Sequence, residues 1–347
     1  MIKDLLRNNI KTLKPYHSAR IEYTGKNAVF LDANENSYGS VLDDGYNRYP
    51  DPLHTELRQK IAKVKTCDKK SIFLGNGSDE AIDLLIRAFC EPREDEIILC
   101  PPTYGVYAVF AKTNDIKTID VPLTPQFELD PAAILEKVNT KTKLMFICSP
   151  NNPTANVLRK EHIKSLLENY SGIVVIDEAY IDFSSSESWI ESLRRYENLV
   201  VLQTFSKAWG LANLRLGMAF ADPQIIEVLD NIKYPYNLSG VTQKLAIEAL
   251  QNLQYKDKMI DNIINQRSYL QHELEKLTLV NKVYPSDANF LLVKVSDADS
   301  LYESLIRKRI VIRNRSNLIH CDNCVRITVG TAEENINLIK AMKSLDE

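Results

Sequence analysis

The chain has 347 residues, 44% hydrophobic and 26% charged, enough for a sizeable core and, at roughly 150 residues per domain, for about two domains. Its net charge of -3 lacks the basic footprint of a nucleic-acid binder, and no apolar run approaches the ~18 residues of a membrane span. The N-terminal basic residues lead into no apolar core of a secretory signal, so a cytoplasmic protein is expected.

In chain order, Ile2, Leu5, Leu6, Ile10 and Leu13 fit one helix face, the pattern of a docking arm. From Lys70 to about Lys233, short β-rich runs alternate with amphipathic helices. Strands are predicted at 72–74, 96–99, 117–121, 143–148, 173–177, 199–202 and 216–220, and helices include 79–90, 131–138 and 160–170. Such alternation predicts an α/β unit with a mainly parallel sheet covered on both faces. After Tyr234-Pro235-Tyr236 the pattern changes to one long helix over about 241–277, strands at 289–293 and 325–329, and a helix near 299–309. The expected organisation is an arm and part of a small domain in 1–45, a large domain in 46–236, and a smaller α+β domain in 237–347.

Lys207, in Gln203-Thr204-Phe205-Ser206-Lys207-Ala208-Trp209-Gly210-Leu211, follows a buried strand and precedes another. Thr204, Ser206 and Arg215 supply what a phosphate needs. A lysine beside a phosphate cradle is the requirement for holding pyridoxal phosphate (PLP) as a Schiff base. Gly75-Asn76-Gly77-Ser78-Asp79-Glu80 joins a strand to a helix, whose N-terminus is an anion site; Ser78 or Asp79 is also a candidate N-cap. Ser149-Pro150-Asn151-Asn152-Pro153-Thr154 reads as a turn, or as a loop offering the Asn152 amide to a ligand oxygen at a strand's carboxyl end. Asp177 closes an apolar strand, where a carboxylate is costly unless it meets a cation; a protonated pyridine nitrogen would be that cation. Six cysteines make no secreted framework in a chain this long. Cys321 and Cys324 have knuckle spacing but no second pair, so no metal is expected.

These motifs, with Leu13-Lys14-Pro15-Tyr16-His17-Ser18-Ala19-Arg20, Leu31-Asp32-Ala33-Asn34-Glu35-Asn36, Asn47-Arg48-Tyr49-Pro50-Asp51, Pro101-Pro102-Thr103-Tyr104-Gly105-Val106-Tyr107 and Val325-Arg326-Ile327-Thr328-Val329-Gly330-Thr331, resemble the fold-type I PLP-dependent aminotransferases. Within them the chain looks like the histidinol-phosphate aminotransferases, and the match runs through nearly the whole chain in family order. The resemblance implies an aspartate aminotransferase-like fold with a sheet of the seven-stranded type and a homodimer with shared active sites. It implies transfer of an amino group between L-histidinol phosphate and 2-oxoglutarate, giving imidazole acetol phosphate and glutamate, a step of histidine biosynthesis.

Residue by residue, the resemblance makes Lys207 the Schiff-base lysine and proton shuttle and pairs Asp177 with the pyridine nitrogen. Asn152 and Tyr180 bond the ring hydroxyl oxygen, and Tyr104 stacks on the ring. Gly77, Ser78, Asp79, Thr204, Ser206 and Arg215 surround the phosphate, and Tyr49 reaches the phosphate of the other subunit. Arg326 holds the substrate's carboxylate or phosphate, Arg313 is a second cation, and Tyr16 and Asn152 line the substrate pocket. Two positions depart from the family pattern. Ala155 stands where glycine is usual, so no positive φ is expected there; Asn213 also replaces glycine and tolerates left-handed geometry. A threonine-phosphate decarboxylase-like lyase and an aromatic amino-acid aminotransferase share the cradle. A regulator on this fold would need a DNA-binding domain that the residues before Leu31 cannot supply.

Overall fold

The computed structural model describes residues 2–16, 29–42 and 45–346; His17, Ser18, Ala19 and Arg20 of the N-terminal motif lie outside them. Seven strands, β1 (Ile72–Asn76), β2 (Glu96–Leu99), β3 (Lys117–Asp120), β4 (Thr142–Cys148), β5 (Ile173–Asp177), β6 (Leu199–Thr204) and β7 (Leu216–Ala221), form one sheet in the order β1-β7-β6-β5-β4-β2-β3. Pairs from β3 through β6 are parallel. Helices cover both faces, and so the central strands read as unbroken apolar runs: Ile173 to Ile176 and Leu199 to Leu202 are fully buried. Strand β7 runs antiparallel to both neighbours. The reason is local: residues 205–215 are too short a link for a helical crossover, which a parallel return requires. That link carries Lys207.

The smaller sheet is β8 (Val280–Val283), β9 (Phe290–Val295), β10 (Arg313–Asn314) and β11 (Cys324–Thr328), antiparallel in the order β10-β11-β9-β8. Its apolar face packs on the helices Leu253–Leu274, Ala298–Arg307 and Ala332–Asp346.

Two helical expectations change. The long helix predicted over 241–277 is two, Gly240–Ala249 and Leu253–Leu274. Asn252 breaks it by bonding its Nδ2 back to the Glu248 carbonyl at 3.2 Å, a side-chain alternative to the helical ladder. The N-terminal face is likewise split, into Ile2–Leu5 and Asn8–Lys11, at an extended Arg7. Arg7 bonds the Arg87 carbonyl at 3.0 Å and pairs with Glu91 at 3.2 Å, while the helix Ile2–Leu5, with Ile2 buried, lies against the helix Pro223–Ile232. The arm therefore docks on its own chain. Among the described residues no helix is long and apolar enough to cross a membrane.

Candidate active site

A cleft of about 160 Å³ opens where β1, β4, β5 and β6 end, lined by Gly77, Ser78, Asp79, Tyr104, Asn152, Asp177, Tyr180, Thr204, Ser206, Lys207 and Arg215, among others. At one end β1 turns through Gly77, at φ +74, into the helix Ser78–Phe89. Neither Ser78 nor Asp79 caps this helix; the N-cap is Gly77, with no side-chain bond. The orphan N–H groups of the first turn and the positive end of the dipole are thus left for an anion. Close packing holds the turn: a Cβ on Gly217 would lie 2.0 Å from the Ser78 nitrogen. Across from it, Arg215 adopts φ +51 and accepts the Gly77 N–H on its carbonyl at 2.7 Å. Its guanidinium lies 3.5 Å from the Asp79 carboxylate, and the Thr204 and Ser206 hydroxyl oxygens are 3.0 Å apart. Asn213, by contrast, sits in the short turn Ala212–Leu214, and the left-handed residue of this loop is Arg215.

At the other end Asp177 lies on the cleft floor, 3% exposed. Tyr107 donates its hydroxyl to Oδ2 at 2.6 Å and Ala179 its N–H to Oδ1 at 3.0 Å. Burial raises the carboxyl above its ordinary value, and these two bonds work against the rise. No cation pairs with it among the described residues, so a protonated heterocyclic nitrogen fits what the carboxylate lacks. Lys207 extends into the open part of the cleft, its Nζ 5.6 Å from the Tyr180 ring centre. Loss of water near the cleft wall, and then the Arg326 charge, lower its pKa. Tyr104 crosses Tyr107 edge-on and bonds Asp79 at 3.4 Å; burial and the carboxylates at Asp79 and Asp177 push its phenol up to about 12. Tyr180 is buried against Phe290, and burial keeps its phenol protonated. Asn152 is 6% exposed and faces the same space.

The smaller sheet contributes Arg326, whose Nη1 donates to Asn152 Oδ1 at 2.6 Å and whose guanidinium lies 5.2 Å from the Phe290 ring centre. Arg313 stands directly opposite Arg326 in the β10–β11 ladder, and Arg315 feels both charges. Like charges facing one another destabilise a sheet, and none of the three has an ion-pair partner among the described residues. An anion would relieve the repulsion. In the single chain Tyr16, 74% exposed, and Tyr49, 50% exposed, do not line the cleft. Sequence reasoning assigned no role to Tyr107 or Arg315. The hint at 107 was a phenol hydroxyl near the start of the largely apolar helix Val106–Thr113, and that at 315 was the Arg-Asn-Arg repeat, which alternates about a strand.

Ala155 overturns an expectation. It adopts φ +69 while fully buried. Its N–H bonds the Asn151 carbonyl and its own carbonyl accepts from Asp287, both at 2.7 Å. The loop does require left-handed geometry there, and tertiary bonds offset the roughly 1–2 kcal/mol this costs a residue with a Cβ.

A family model described as aminotransferase class I and II matches residues 24–342. The chain is 52% identical over 343 residues to the histidinol-phosphate aminotransferase of Cytophaga hutchinsonii, with 99% of each covered. The crystal structure of the histidinol-phosphate aminotransferase from Clostridium acetobutylicum matches with a TM-score of 0.80 at 25% identity, over 87% of this chain and 91% of that one. A Sinorhizobium meliloti histidinol-phosphate aminotransferase in complex with pyridoxal-5'-phosphate has the same fold, with a TM-score of 0.78 at 22% identity over 90% of each chain. A sheet, a cleft and a sequence match that agree over nearly the whole length place this chain in the class I and II aminotransferases, among the histidinol-phosphate aminotransferases.

Proposed function

We propose that this chain, as a cytoplasmic homodimer, moves an amino group between L-histidinol phosphate and 2-oxoglutarate with PLP as cofactor. The reaction gives imidazole acetol phosphate and L-glutamate. Near-complete coverage at 52% identity to a histidinol-phosphate aminotransferase carries the substrate. The facing of Lys207, Asp177 and an uncapped helix N-terminus across one cleft carries the chemistry. Residues 46–236 are taken as the cofactor domain, 237–347 as the small domain and 1–45 as the arm and part of the small domain.

When bound, PLP supplies an electron sink for the carbon that bears the amino group. The first-turn N–H groups of Ser78 and Asp79, the hydroxyls of Thr204 and Ser206, and Arg215 hold its phosphate, with Gly77 setting the turn. Asp177 holds a proton on the ring nitrogen, and Tyr107 holds Asp177 in place. Tyr104 would lie against the ring, and Asn152 and Tyr180 would donate to its oxygen. Lys207 would carry the cofactor, and its Nζ would move a proton between two carbons; its lowered pKa favours the free amine this needs. Arg326, with Arg313, binds phosphate or carboxylate through a planar fork, and Tyr16 completes the pocket. Tyr49 serves the neighbouring subunit's phosphate site. Purified protein should convert histidinol phosphate with 2-oxoglutarate faster than aromatic amino acids. Carbon dioxide release from threonine phosphate, without amino transfer from histidinol phosphate, would instead assign a decarboxylase.

A further inference from the structure

Two proline-interrupted stretches, Tyr49-Pro50-Asp51-Pro52 and Tyr234-Pro235-Tyr236, lie side by side. Proline has no N–H to donate, which limits backbone pairing between them, and no backbone bond joins them among the described residues. Lys233 joins them instead. Its side chain is buried, and its ammonium donates to the Pro52 carbonyl at 2.9 Å, to Tyr234 at 3.3 Å and to Pro235 at 3.1 Å. Three N–H groups thus meet three carbonyls. Lys233 is the C-terminal cap residue of the helix Pro223–Ile232, yet none of its acceptors belongs to that helix, so a favourable helix-end charge does not account for its burial. Gln243 adds a bond to the Asp51 carbonyl at 3.2 Å.

The frame ends on an aromatic pair. The rings of Tyr49 and Tyr236 stack with centres 4.5 Å apart. Tyr49 also donates its backbone N–H to Glu35 at 2.6 Å. Its ring is half-exposed in a groove lined by Arg48, Ser239, Val241 and Lys244, away from the cleft of its own chain.

We infer that Lys233 is a positioning residue for Tyr49, fixing the loop from which Tyr49 reaches the cofactor phosphate of the neighbouring subunit; this rests on the shared-site reading above. Cofactor retention in one site therefore depends on Lys233 of the other chain.

Hybrid holoenzyme dimers test the direction of the effect. In the first hybrid, a native chain is paired with a Lys207→Ala/Lys233→Met chain, so the site with an intact Lys207 takes its Tyr49 from the altered chain. In the second, a Lys233→Met chain is paired with a Lys207→Ala chain, so the intact site takes Tyr49 from a chain with native Lys233. PLP release is followed by the absorbance that remains with protein after gel filtration, and thermal midpoints are recorded for each hybrid. Release about 3- to 10-fold faster is expected in the first hybrid only, the scale of one lost hydrogen bond. Equal release in both hybrids, or acceleration confined to the second, would place the effect of Lys233 within its own subunit and overturn the inference. Tyr49→Phe is run in the same pairings. If it acts across subunits and Lys233→Met does not, this inference alone fails; if it does not act across subunits, the shared-site reading fails and takes this inference with it. Should Lys233→Met not fold, Lys233→Arg retains the charge but not the three-way geometry. It should then show a smaller acceleration of the same direction, and native release rates would overturn the assignment.

Discussion

Arg326 donates to Asn152 at 2.6 Å and so ties the antiparallel sheet to the cleft of the parallel one. A guanidinium can only donate, so the amide oxygen must face it, and Nδ2 becomes the donor left for an oxygen in the cleft. One bond thereby sets the orientation of Asn152 and brings the Arg326 charge near Lys207. The same contact explains why Arg326 lowers the lysine's pKa.

Arg326→Lys should impair the half-reactions with both glutamate and histidinol phosphate. A point charge cannot reproduce the fork, and losing a charged hydrogen bond at about 1.5–3 kcal/mol predicts roughly 10- to 100-fold weaker binding. Arg313→Ala should weaken the phosphate substrate more than glutamate. Single-turnover spectra with each donor separate the two, and an unchanged glutamate reaction in Arg326→Lys would remove the residue from the substrate site.

Borohydride reduction of the holoenzyme followed by peptide mapping should place the pyridoxyl group on Lys207. Lys207→Ala should still bind PLP, but turn over at least roughly 10²–10⁴-fold more slowly, the usual worth of a positioned acid–base group. A label on another lysine defeats the assignment.

Burial holds the Asp177 carboxyl above the ordinary carboxylate value. For a group whose folded pKa is raised, the stabilising contribution is full below the unfolded value and is lost as pH rises through the folded one. Cofactor-free protein should therefore lose stability from this group as pH rises above the ordinary carboxylate value, and a cation beside the carboxylate should restore it. The rise in melting temperature on adding PLP is expected to grow over that range. Asp177→Asn should flatten the growth. Tyr107→Phe removes a bond to the carboxylate and should cost about 1.5–3 kcal/mol of that stabilisation. A PLP-induced rise independent of pH in the parent protein would contradict this account.

Gly217→Ala should disturb the phosphate end without touching a polar group. Its Cβ would lie 2.0 Å from the Ser78 nitrogen and 2.1 Å from the Gly77 carbonyl carbon, both backbone. Overpacking costs about 1–3 kcal/mol, and the turn that holds the helix N-terminus must shift. Denaturant midpoint and PLP affinity should fall together. Gly105→Ala, which has no neighbour within 4 Å of its new Cβ, serves as the control and should change neither.

The order of strands and helices through the first two-thirds of the chain was legible in sequence, because the period of apolar residues and the residues that end each element are local properties. So was the placement of Lys207 and Asp177 just past or at the ends of buried strands, in the cleft, since an ionisable group there stands out against its neighbours. Tertiary structure alone decided the rest. That β7 enters the sheet between β1 and β6 is set by the strands it pairs with. The left-handed Ala155 is held by a carbonyl bond from Asp287, a residue far along the chain. The bond from Tyr107 to Asp177 spans 70 positions, and the cluster of Arg313, Arg315 and Arg326, without an ion pair among the described residues, exists only once β10 lies beside β11. Hydrophobic periodicity reports which face of an element is buried. Which polar groups meet inside, and what their charges then cost, depends on distances that only the packed chain sets.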